Sequence, residues 1–194
     1  MPTPEQITRH HGADPDTDWV ERPPPTERVE IVAYNPCWPA RYRALADDIR
    51  SALGAAALAI EHVGSTAVPG LAAKDVIDID LTVADPRTEQ AYLPILRDIG
   101  YRLTVREPNW HQHRCLRHDD PRVNLHVFGP DCPETIRHRM FRDWLSCHPD
   151  DRIRYEQAKR SAVPGDGHVM DYNARKQPVI REIYDRIFRA EGLL

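Results

Sequence analysis

Apolar residues recur at Tyr42, Leu45, Ala46, Ile49 and Leu53, the spacing of one helical face, and predict a helix from about Trp38 to Leu53. Ahead of it, Val29 to Tyr34 predicts a short strand closed by Asn35-Pro36. Ala57 to Val63 predicts a strand that runs into the loop Gly64-Ser65-Thr66-Ala67-Val68-Pro69-Gly70, and Val76 to Val83 alternates polar with apolar positions, the period of a strand with one buried face. Pro86 suits the first turn of a helix through Ile99, with Tyr92, Ile95, Leu96 and Ile99 on its buried side and Gly100 as its stop. Three more strands are predicted at Tyr101 to Arg106, His113 to Arg117 and Val123 to Phe128, then helices at Glu134 to Cys147, Asp151 to Val163 and Tyr172 to Ala190. Trp38, Tyr42, Trp144, Tyr155 and Tyr184 fall at helical positions suited to core packing. Strands in the middle and helices at the end predict an α/β (α+β) fold, a mixed sheet with helices packed against it and a helical C-terminal third.

Residues 1–26 show neither period and end in Pro23-Pro24-Pro25, so they read as a flexible or loosely docked extension before a single domain over 27–194. The chain's 194 residues suit one such domain. No stretch reaches the roughly 18 apolar residues of a membrane span, and the N-terminus lacks a basic region followed by an apolar run. A cytoplasmic protein is expected. Cys37, Cys115, Cys132 and Cys147 are scattered, which points to reduced thiols rather than a disulfide framework. The net charge of −4 argues against general nucleic-acid binding. Lys74, Lys159 and Lys176 are the chain's only lysines.

Candidate chemistry begins in Val76-Ile77-Asp78-Ile79-Asp80-Leu81. The alternation sends Ile77, Ile79 and Leu81 to the core and leaves Asp78 and Asp80 on the other face. Residues two apart on a strand are roughly 6.6 Å apart, so both carboxylates can converge on one divalent cation. Magnesium, a hard ion that keeps several waters and shares phosphate oxygens, suits such a pair. Upstream, Gly64 permits close backbone approach, while the Ser65 hydroxyl and free N–H groups can hold a phosphate. Alone, each motif is weak: a lone D-x-D is more often a solvated strand face. His111, His113, His118 and His126 lack the paired spacings of a zinc site.

A glycine-serine loop followed by a D-x-D strand resembles the nucleotidyltransferase superfamily of DNA polymerase beta. Glu61-His-Val-Gly-Ser-Thr-Ala-Val-Pro-Gly-Leu-Ala-Ala-Lys-Asp-Val-Ile-Asp-Ile-Asp80 resembles more closely the GrpB family. The resemblance continues through Tyr34–Pro39, Asn124–Val127, Phe141–Leu145, Tyr155–Lys159 and Tyr172–Lys176, and so covers about residues 29–188. It implies a nucleotidyltransferase-like fold and a magnesium-dependent transferase that moves a nucleotidyl group from ATP or another nucleoside triphosphate to a small acceptor. Asp78 and Asp80 would hold the metal, and Gly64, Ser65 and Thr66 the phosphates. Lys74, Arg114, Arg142, Lys159 and Lys176 are the candidate phosphate cations.

Superfamily members usually carry a third carboxylate on a neighbouring strand. Here Val123 to Phe128 instead presents Asn124 and His126 on one face, and His126 becomes the candidate general base. Two alternatives therefore stand beside the transferase. One is a non-catalytic nucleotide- or coenzyme A-related binding module, since GrpB-like domains also occur fused to dephospho-coenzyme A kinase. The other is an ATP-dependent adenylating or condensing enzyme.

Overall fold

The computed structural model describes residues 1–21, 29–163 and 169–194. Its helices are α1 (Pro4–Thr8), α2 (Trp38–Leu53), α3 (Leu93–Asp98), α4 (Pro133–Cys147), α5 (Pro149–Ala162) and α6 (Val169–Ala190). Its strands are β1 (Asp18–Trp19), β2 (Ala59–Val63), β3 (Ile77–Thr82), β4 (Arg102–Glu107), β5 (His113–His118) and β6 (Val123–Phe128). They form one sheet in the order β1-β4-β5-β6-β3-β2, in which β3 and β6 run parallel and every other neighbouring pair antiparallel. This is the mixed sheet flanked by helices that the strand and helix periods predict.

Alternation on β3 decides which face carries what. Ile77, Ile79 and Leu81 are buried with Leu125 and Val127 of β6 against Leu45, Ile49 and Leu53 of α2 and Leu96 of α3. The opposite face meets α4, α5 and α6. Their own core gathers Leu145, Tyr155, Ile183, Tyr184, Ile187 and Phe188 around Val68 and Leu71 of the loop after β2. A polar layer is thus trapped between two apolar ones, and the candidate site lies in it.

Three segments differ from their sequence prediction. Residues 29–34 form no strand; their ladder is a single bridge between Val32 and Ala73, a residue of the loop before β3. The helix expected from Pro86 is delayed. Pro94 has no N–H for a carbonyl one turn earlier, so α3 begins at Leu93 with Pro94 in its first turn, after a 3-10 turn over Glu89–Ala91. Its short length leaves Ile95, expected on the buried side, exposed, while Tyr92 and Leu96 are buried.

The N-terminal segment is docked through residue 21. Thr3 and Gln6 form a reciprocal capping box on α1, whose Ile7 packs on the α4–α6 core. Arg137 of α4 donates to the Ile7 and Arg9 carbonyls at 2.7 and 3.1 Å. β1 pairs with β4, and the buried Asp14 accepts from the Asn109 N–H at 2.8 Å. A two-residue strand and a five-residue helix are too short to register as periodicity. Pro23 to Pro25 and the expected boundary after residue 26 lie outside the described residues.

Candidate functional site

The chain's three lysines meet in one place. Lys74 comes from the loop before β3, Lys159 from α5 and Lys176 from α6, and all three line a cavity of about 300 Å³ together with Gly64, Ser65, Asp78, Asn124, His126, His138 and Tyr172. The Lys176 and Lys74 ammonium groups stand 4.8 and 5.4 Å from the Tyr172 ring centroid, within cation–π range. Lys159 is 1% exposed; its Nζ donates to the Ala72 carbonyl and lies 4.8 Å from the Tyr155 ring. Burial, then the neighbouring Lys176 charge, lowers the Lys159 ammonium to about 7. Burial also lowers Lys176, against the pull of Asp78.

The opposite wall is the turn after β2. Gly64 adopts φ +68°, and a Cβ there would stand 2.3 Å from Asp78 Oδ2, so only glycine lets the Ser65 turn lie against the acid. Thr66, though it reaches the cavity wall, is committed to the fold. Its buried hydroxyl donates to the Val76 carbonyl at 3.2 Å and meets His62 Nε2 at 3.1 Å.

The carboxylate pair divides into two roles. Parallel pairing of β3 with β6 sets Asp78 opposite Asn124 and Asp80 opposite His126. Asp78 lines the cavity and accepts from the Asn124 amide at 2.8 Å. Asp80 is 2% exposed, and both its oxygens face His138 Nδ1, at 3.1 and 2.9 Å. Burial opposes protonation of His138, but the Asp80 charge and hydrogen bond, with Glu134 behind them, overcome it and raise the imidazole to about 9. A protein cation therefore already sits on Asp80.

Among the described residues no three His, Cys, Asp or Glu side chains converge as metal ligands. With Asp78 bonded to Asn124 and Asp80 closed by an imidazolium, this donor set does not fit a magnesium ion shared by both carboxylates.

Two expected phosphate cations lie elsewhere. Antiparallel pairing sets Arg114 opposite Val127, on the apolar face, and Cys115 opposite His126. Arg114 accordingly turns away, donating to Glu89 at 2.6 Å and to the Gln112 carbonyl at 2.8 Å. Arg142 is held by Glu61 at 3.2 Å, the His62 carbonyl at 2.9 Å and Asp143 at 2.7 Å. Trp144, expected in the core, is half-buried: its indole donates to Asp151 at 2.8 Å and its ring stacks on His148. His138 is the residue the sequence reading misses. Its signal was there, because Glu134, His138, Phe141 and Leu145 share one helical stripe, and two ionisable groups on an inward stripe call for a partner.

Comparison with known proteins agrees with this architecture. A family model described as "GrpB protein" matches residues 28–186. A UPF0157 protein of Halalkalibacterium halodurans is 41% identical over 167 residues, 86% of each chain. A dephospho-CoA kinase of Mycolicibacterium paratuberculosis is 34% identical over 185 residues, which is 81% of this chain and 46% of that one. The crystal structure of conserved protein GrpB from Enterococcus faecalis superposes with a TM-score of 0.70 at 26% identity, covering 81% of this chain and 98% of that one.

Proposed function

We propose, for a chain that belongs to the GrpB family, that the lysine-lined cavity binds the phosphate groups of a nucleotide-class ligand. The observation that carries this reading is the convergence of all three lysines, from a loop and two helices, on one small cavity. Lysines this close repel one another, and Lys159 is buried well enough to lower its proton affinity to about 7. An arrangement that costs stability when empty is what an anion-binding site looks like before its anion arrives. The phosphates would lie between the ammonium groups and the Ser65 turn, with the N–H groups of that turn as further donors.

A cavity of about 300 Å³ holds a phosphate chain and little else. A second cavity of about 560 Å³ shares Lys74, Asn124, His126 and Asn173 with it and has room for a nucleoside or an acceptor. That shared wall favours a second reading, transfer of a nucleotidyl group from a nucleoside triphosphate to a small acceptor. In it His126 would take the acceptor's proton, the lysines would neutralise the departing phosphates, and Asp78 would orient the Asn124 amide.

A thermal-shift series with inorganic phosphate, AMP, ATP and coenzyme A, each with and without magnesium, tests the reading. A ligand that binds only the folded chain raises the melting point by mass action. ATP is expected to raise it without magnesium, and Lys176→Met to abolish the rise. No shift with any phosphate compound would overturn the assignment; a shift wholly dependent on magnesium would restore a metal held by Asp78 and Asp80.

A further inference from the structure

We propose that Glu107 and His113 lock His126 into the tautomer whose bare Nε2 faces the ligand cavities, ready to accept a proton from a hydroxyl or amine. Its use in catalysis rests on the transfer reading above; the tautomer itself is a property of the protein alone.

The argument starts at the far end of the chain of contacts. Glu107 closes β4 directly opposite His113 of β5, and its carboxylate stands 2.7 Å from His113 Nδ1. His113 is 3% exposed, and burial, reinforced by His126 and His138, holds its ring well below the ordinary imidazole value. The ring is neutral and carries one proton. Burial raises the Glu107 carboxyl from its ordinary value, and in its ionised form it only accepts, so that proton then sits on Nδ1 and His113 Nε2 is a lone pair. His126 Nδ1 lies 3.0 Å from that lone pair and must be the donor. Burial keeps His126 neutral as well, so its single proton is spent on this bond and its Nε2 is bare.

Packing holds the ring in place. The His113 ring stacks on Phe128 with centroids 4.8 Å apart and meets Trp110 edge-on at 5.0 Å, which resists the half-turn that would put ring carbons where Nδ1 and Nε2 make their contacts. Among the described residues His126 makes no other hydrogen bond. It lies on the wall common to the lysine cavity and the larger chamber.

In the transfer step, an acceptor O–H in the larger chamber gives its proton to His126 Nε2. The acceptor oxygen's electron pair forms the new bond to the α-phosphorus of the nucleoside triphosphate, and the bond to pyrophosphate breaks with its electrons leaving on pyrophosphate. Glu107 and His113 also line the larger chamber, but in this step they exchange no proton with either reactant; they act through His126 as positioning residues.

Two-bond proton–nitrogen correlation spectra of the imidazoles in the nitrogen-15-labelled full chain at neutral pH test the inference. His126 is expected to show a protonated Nδ1 and a bare Nε2, and His113 the same order. A proton on His126 Nε2, or on both nitrogens, would overturn it. Glu107→Ala should release the order, giving a mixture of His126 tautomers; an unchanged His126 spectrum would remove Glu107 from the relay. Should that variant fail to fold, the wild-type spectrum still decides the tautomer. A melting-point rise with ATP beside the wrong tautomer would sink this inference alone, and the right tautomer without any rise would sink the phosphate assignment alone.

Discussion

At the scale of single residues, the site is defined by where charge is confined. His138 titrates near 9 in the folded chain against an ordinary 6.5, because Asp80 beside it is buried and charged. A raised folded-state value means that the contribution to stability is complete below about pH 6.5 and is lost as pH climbs through about 9. Urea unfolding from pH 6 to 10 should show this loss in the wild type relative to His138→Gln. That variant strands a buried carboxylate and should be less stable at neutral pH by about 3 kcal/mol. Lys159 runs the other way. Its folded value of about 7 lies below the ordinary 10.5, so its burial penalty is largest at low pH and fades as pH rises from 7. Phosphate arriving beside Lys159 should return its proton. Calorimetric titration with ATP at pH 7.5, in buffers of different ionisation enthalpy, should therefore report net proton uptake, and Lys159→Met should abolish that uptake.

At the scale of elements, the decisive contact is the turn between β2 and β3. The 3-10 turn over Ser65–Ala67 lies against Asp78 only because Gly64 has no side chain and accepts φ +68°. Gly64→Ala places a carbon inside the Asp78 carboxylate and strains the backbone as well. It should lower stability by more than about 1 kcal/mol and lower ATP affinity by at least tenfold, as read by thermal unfolding and calorimetry. Parity along strands explains the other placements. His113 and Cys115 share a face with His126, while Arg114 between them faces Glu89. Pro94 likewise resets a helix that apolar spacing alone would start at Pro86.

At the scale of the whole molecule, the helical layer and the N-terminal segment close the polar layer from outside. Arg137 holds that segment through the Ile7 and Arg9 carbonyls and stacks its guanidinium 4.3 Å from the Tyr184 ring centroid. Ala13, Asp14, Thr17 and Trp19 line the larger chamber, so this segment forms one of its walls. Arg137→Met should release it, and limited proteolysis should then cleave within residues 1–21 faster than in the wild type while the remaining core stays resistant. Among the described residues no helix is long and apolar enough to cross a membrane.

What the chain determines by itself is whatever depends on local period: five of the six strands, the helices α2, α4, α5 and α6, and the shared face of Asp78 and Asp80. Period two and period 3.6 are written into neighbouring residues, so they need no partner to be legible. Partnership is different. Nothing local says that Asp80 is taken by a histidine 58 positions away, that Arg114 answers Glu89, or that Lys74, Lys159 and Lys176 close on one cavity. Those are consequences of strand register and of helices folding back over the sheet, where burial strengthens each charge pair by excluding water and so decides which cation each carboxylate keeps.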